Sequence, residues 1–145
     1  MKWIPVFLAL ALISAPAWAA PKTIELTQTG CQFLEPEQTD LKYHPKSAGD
    51  CNNINQATAE SRIQKAEVLR MAPGSYLFRV TNKNVPYTLG FWLRGQGVSR
   101  LTLPSTSGGG IEAGEHQDYP IDLKKGTYLY SCPLNPTPDY LLVVE

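Results

Sequence analysis

The sequence predicts an all-β fold, a Greek-key sandwich of about seven or eight short strands with one short helix in an insertion. Three observations carry this expectation. Apolar and polar residues alternate with period two in run after run, as where Ile24 and Leu26 stand between Thr23, Glu25 and Thr27. Turn signals such as Pro73-Gly74, Asn82-Lys83-Asn84 and Lys124-Lys125-Gly126 separate these runs. Helical character is confined to the stretch Asn55–Glu67.

Taken in order, Thr23–Thr29 reads as a half-buried strand leading into Cys31. Residues 35–53 are polar, with Pro36, Pro45 and Gly49, and read as a long loop. Loops of that length inside a domain are functional or tied down by a cross-link. The stretch Asn55–Glu67 makes a short helix with Asn55 or Thr58 as its cap. Strands are expected at Val68–Met71, Tyr76–Thr81 and Tyr87–Leu93, with Val98–Leu103 a further candidate. Ser107-Gly108-Gly109-Gly110 reads as a flexible or close-packed loop, and a strand follows at Gln117–Leu123. Lys124-Lys125-Gly126 is expected to be a hairpin turn into the last two strands. Alternation then sets Thr127, Leu129 and Ser131 on one face and Tyr128, Tyr130 and Cys132 on the other.

Met1–Ala19 has a basic start at Lys2, an apolar run from Ile4 to Ile13 and a small-residue exit at Ala17-Trp18-Ala19, the layout of a secretory signal peptide. The run is shorter than the roughly 20 apolar residues of a membrane-spanning helix. A periplasmic or secreted protein is expected, not a membrane-spanning one. Removing this leader from 145 residues leaves 126, the size of one domain (20–145) with an insertion at about 35–66. Losing Lys2 from 13 basic residues leaves 12 against 13 acidic, without a basic stripe, which argues against nucleic acid and against an anionic membrane surface as partners.

The most telling stretch is Gly126-Thr-Tyr-Leu-Tyr-Ser-Cys132-Pro-Leu-Asn135-Pro-Thr-Pro-Asp-Tyr140, a strand of alternating aromatics that ends at a cysteine and a proline-rich loop. It resembles the ligand loop of cupredoxins, whose copper site takes a cysteine, a histidine three residues on and a later methionine. Here Asn135 stands at the histidine position and Tyr140 near the methionine position. Upstream, Tyr76-Leu-Phe-Arg-Val-Thr-Asn82-Lys-Asn-Val-Pro-Tyr87 resembles the segment that carries the other histidine, with Tyr87 in its slot. The resemblance therefore implies a cupredoxin-like domain with one of four blue-copper ligands, nearest to that of periplasmic iron-uptake proteins of the EfeO type. An ordinary blue-copper centre needs two imidazoles and a thiolate and is not expected.

Three cysteines in an oxidising compartment leave one over. Pairing Cys31 with Cys51 closes a loop of ordinary size and leaves Cys132 free at the ligand position. Pairing Cys31 with Cys132 would make the corner structural, and spacing alone does not choose.

Candidate metal residues are Cys132, Asn135, Tyr87 and Tyr140. A free thiol suits Cu(I), and phenolates suit ferric iron. Against these stand plainer roles: a buried small hydrophobe for Cys132, a turn cap for Asn135, core-edge hydrogen bonding for the tyrosines. His44 and His116 lack ligand spacing, and Glu112, Glu115 and Asp118 read as a solvated acidic loop. A hydrolase using His116 with Ser105 or Ser107 has no motif behind it, and no enzyme is expected. Trp92, Phe91 and the proline-rich loop offer a docking surface. Two functions follow: binding or relay of copper or iron through a non-blue site around Cys132, in a periplasmic metal-handling or redox system; or a metal-free interaction subunit with a vestigial site, docking a periplasmic or membrane-complex protein.

Overall fold

A computed structural model describes residues 19–145, so the expected leader lies outside the described residues except for Ala19. Nine strands form two sheets. β1 (Lys22–Thr29), β2 (Gln32–Phe33), β4 (Gly74–Asn82) and β7 (His116–Leu123) make the first, in the order β2-β1-β4-β7. β3 (Leu69–Met71), β5 (Leu89–Gly95), β6 (Thr106–Ile111), β8 (Gly126–Ser131) and β9 (Tyr140–Val144) make the second, in the order β3-β9-β8-β5-β6. β1 runs parallel to β4 and β3 parallel to β9, while the other pairs are antiparallel.

The alternation read from the sequence sets the core. In β4, Tyr76, Phe78, Val80 and Asn82 point inward while the residues between them are half exposed. In β8, Tyr128 and Tyr130 are buried, and Thr127 and Leu129 are only partly so. Between the sheets Phe33, Phe91, Tyr130 and Tyr140 meet with ring centroids 5.4–6.4 Å apart, the offset and edge-on spacings that aromatic quadrupoles favour.

Several local expectations are corrected. The helix is Ala48–Lys65 (α2), and its cap is Ser47, not Asn55 or Thr58. The Asp50 carboxylate accepts from the backbone N–H groups of Lys46 and Ser47 at 2.7 and 3.2 Å, so the helix takes up the second half of the expected loop. A one-turn helix, α1 (Leu34–Glu37), uses part of the first half. Val98–Leu103 is not a strand, since Gly97–Leu101 forms a 3-10 turn. Ser107–Gly110 is not a loop, because it lies within β6 and pairs with β5. Lys124–Gly126 is not a hairpin turn, because it passes the chain from the first sheet to the second.

α2 buries only Cys51 and Arg62 among its side chains, so polar anchors hold it rather than an apolar stripe. Cys51 is joined to Cys31 by a disulfide. Arg62 forms an ion pair with Glu37 at 2.6 Å and donates to the Cys31 carbonyl at 2.9 Å. Asn55 donates to the Pro136 carbonyl. Each of these anchors lies close to the Cys132 corner or to the strand end that abuts it.

Candidate functional site

Three of the four candidate metal residues converge. Cys132 follows directly on β8, and the loop after it is closed by Cys132 N–H donating to Thr137 Oγ1 at 3.0 Å. Its sulfur accepts from the N–H of Asn135 at 3.2 Å and of Gly90 at 3.4 Å. Gly90 is required here: a Cβ on it would stand 2.6 Å from the Gly108 carbonyl oxygen of β6. Its own carbonyl accepts from Gln28 Nε2 at 2.8 Å. Tyr87 is presented by the loop after β4, which the buried Asn82 organises by accepting from Val85 N–H at 2.9 Å and donating to the carbonyls of Val85 and Ile111.

Asn135 is fully buried and its carboxamide is fully engaged. Oδ1 accepts from Cys31 N–H at 2.9 Å and from the Tyr87 hydroxyl at 3.1 Å. Nδ2 donates to the Thr29 carbonyl at 2.9 Å and to Gln28 Oε1 at 3.4 Å. Cys51 Sγ, which carries no hydrogen in the disulfide, rests 3.2 Å from Oδ1 and 3.6 Å from the Tyr87 hydroxyl. One side chain thus ties the end of β1, the disulfide and the Tyr87 loop into a single knot.

Tyr140 does not join this group. Its hydroxyl bonds to Glu37 and accepts from Phe33 N–H at 3.3 Å, placing it in the Glu37–Arg62 network. Burial and the adjacent Glu37 carboxylate both push its phenol up.

The metal-free corner holds its donor groups protonated or already hydrogen-bonded. Burial pushes the Cys132 thiol up, against the opposing pull of the amides of Gly90, Asn135 and Leu134. Burial, with the Cys132 and Asp50 charges, pushes the Tyr87 phenol up to about 12, so it is protonated at neutral pH. The Asn135 oxygen already accepts two hydrogen bonds and has no lone pair to offer an ion. Among the described residues no group of three or more His, Cys, Asp or Glu side chains is arranged to hold a metal.

The remaining candidates are dispersed. His116 lies opposite Thr81 at the start of β7, while Ser107 lies opposite Trp92 in β6. Asp118 is paired with Arg79 at 2.8 Å, which holds its carboxyl below the usual range, and Glu112 accepts from Thr88. Phe91 is buried in the aromatic core, so of the expected docking aromatics Trp92 alone faces outward. It borders a shallow groove of about 400 Å³ with Gly108, Gly109, Pro133 and Leu134. No helix among the described residues is long and apolar enough to cross a membrane.

Gln28, Asn82 and the Glu37–Arg62 pair were not singled out from the sequence as builders of the corner. The available signal was polar residues at inward positions of strands, Gln28 in β1 and Asn82 in β4, which demand partners when buried.

No family model matches the chain, and no curated protein matches it. Among solved structures it is similar to auracyanin B, with 14% identity and a TM-score of 0.52 over 89% of this chain and 93% of that one. It also aligns with a multi-copper oxidase from Pediococcus acidilactici, at 8% identity and a TM-score of 0.40, over 92% of this chain and 28% of the oxidase. The first likeness shows a cupredoxin-like fold; at such identity it speaks of the fold alone.

Proposed function

We infer that this chain is an exported, metal-free interaction module on a cupredoxin-like sandwich, in which the corner corresponding to the ligand loop serves as a structural knot. The observation that carries this reading is Asn135, buried and engaged through both atoms of its carboxamide. A ligand must turn a lone pair toward an ion, and this side chain turns all of its capacity toward the protein. Export is supported by the leader-like Met1–Ala19 and by the Cys31–Cys51 disulfide, which belongs to oxidising compartments. In a metal-uptake setting of the kind the EfeO-type resemblance implies, the role would be that of a protein-binding subunit, with the groove beside Trp92 and Leu134 as its contact face.

A second reading, a Cu(I) or iron site on Cys132, draws on the two backbone N–H groups aimed at the sulfur, because such donors favour a thiolate. Native mass spectrometry of the protein before and after addition of Cu(I), Cu(II) and iron separates the two. The knot reading expects no stoichiometric metal. One ion per chain, lost in Cys132→Ala, would overturn it in favour of the second.

A further inference from the structure

The 3-10 turn Gly97–Leu101 stands at one end of the second sheet, and its two feet rest on the Lys124–Gly126 segment and the start of β8. Gln96 N–H donates to the Thr127 carbonyl at 2.9 Å. Leu103 lies so close to Gly126 that an added Cβ there would be 2.8 Å from Leu103 Cδ1. At the tip, Val98 is 86% exposed and Leu101 89% exposed, while the next most exposed large hydrophobic among the described residues, Leu134, reaches only 44%. These two side chains are three apart in a 3-10 helix, where positions i and i+3 eclipse, so they project from one face.

Three cations belong to the turn and to the segment on which it rests. Arg100 holds its guanidinium 5.0 Å above the Trp92 ring, and Lys124 and Lys125 are exposed in the neighbouring segment. None of the three takes part in an ion pair among the described residues. The nearby carboxylates are engaged elsewhere: Glu145 with Arg70 at 3.2 Å, Asp139 with Arg94 at 2.7 Å, and Asp122 with the Ser75 hydroxyl. A chain with 13 basic and 13 acidic residues overall thus carries three cations outside any ion pair in and beside a turn with two bare aliphatic tips.

Charge complementarity calls for an anionic occupant, and the two tips call for an apolar layer just beneath the charge. A membrane surface has both at the depth of a side chain. We propose that the Gly97–Leu101 turn, with Lys124 and Lys125, docks this protein on a membrane surface rich in anionic lipid. Val98 and Leu101 enter the boundary between headgroups and acyl chains, and Arg100, Lys124 and Lys125 lie among the headgroups.

The test is cosedimentation of protein expressed from the full chain with vesicles of phosphatidylcholine, with and without about one third phosphatidylglycerol. Because Met1–Ala19 is itself apolar, the deciding comparison is between wild type and variants prepared identically. Binding is expected only with phosphatidylglycerol and should weaken as salt is raised. It should fall about tenfold or more in Val98→Ser/Leu101→Ser and in Lys124→Gln/Lys125→Gln. The variants' urea midpoints should stay at the wild-type value, since these side chains project into solvent. Absence of vesicle binding, or binding that these variants leave intact, would overturn the proposal. Loss of a protein crosslink in the same variants without vesicle binding would assign the turn to a protein partner and overturn it equally.

Discussion

Replacing Asn135 with alanine should unfold the knot from its centre. The substitution removes the acceptor for Cys31 N–H at 2.9 Å and the donor to the Thr29 carbonyl at 2.9 Å, both in buried surroundings. Gln28 Oε1 loses only a long contact of 3.4 Å, and the Tyr87 hydroxyl, which also loses its acceptor, is partly exposed and finds water. Each buried group left without a partner costs about 1–3 kcal/mol, so two such groups give a loss of about 2–6 kcal/mol. That is a large part of the 5–15 kcal/mol by which a domain of ordinary stability stays folded. Urea unfolding followed by tyrosine and tryptophan fluorescence is the assay, with the midpoint shifting and the slope m unchanged if the denatured state is unaffected. A loss under about 1 kcal/mol at unchanged slope would refute the reasoning, because it would mean that the two backbone groups find other partners at no cost.

Other outcomes follow from the same contacts. Converting both Cys31 and Cys51 to alanine opens a link across a sequence separation of 20; chain entropy alone puts the cost at about 3 kcal/mol, to be read from the urea midpoint. Replacing Arg62 with leucine strands Glu37 and the Cys31 carbonyl, and should cost about 3–5 kcal/mol as the breaking of a buried pair does, with α2 losing hydrogen-exchange protection first. The buried Cys132 thiol and the Tyr87 and Tyr119 phenols, the latter two pushed up to about 12, hold their protons more tightly folded than unfolded. Their contribution is therefore whole well below pH 9, where the free thiol is half ionised, and is lost as pH rises toward 12. Stability measured against pH should fall across that window, and Cys132→Ala should remove the earliest part of the fall.

The sandwich was legible because β1, β4, β7, β8 and β9 each bury one face, and a half-buried strand writes its period into the sequence. β6 was not legible, because Ser107–Gly110 offers no side-chain alternation. Its glycines answer to neighbours instead, with a Cβ on Gly108 standing 3.0 Å from the Tyr119 ring. Val98–Leu103 carries three aliphatic residues in six, yet Val98 and Leu101 have no core to face. The start of α2 was hidden because Ala48-Gly49-Asp50 reads as turn chemistry until Asp50 is seen reaching back to Lys46 and Ser47. At the corner, the likeness to a ligand loop named Cys132, Asn135 and Tyr87, which the structure places near one another. Tyr140 stands apart from them because its partner, Glu37, lies 103 residues away in α1, beyond the reach of any local pattern.

If Asn135 and Tyr87 make this corner a structural knot and not a metal centre, introducing imidazoles at both positions is the sharpest test. Copper titration of Tyr87→His/Asn135→His beside the wild type, read by visible absorption and bound-metal stoichiometry, is the measurement. The expected result is no band and no bound copper in the wild type, and one copper per chain with a thiolate-to-copper absorption in the variant, since two imidazoles then join the Cys132 thiol in one corner, the donor set that suits copper. A wild type that takes up copper, or a folded variant that takes up none, would contradict the account.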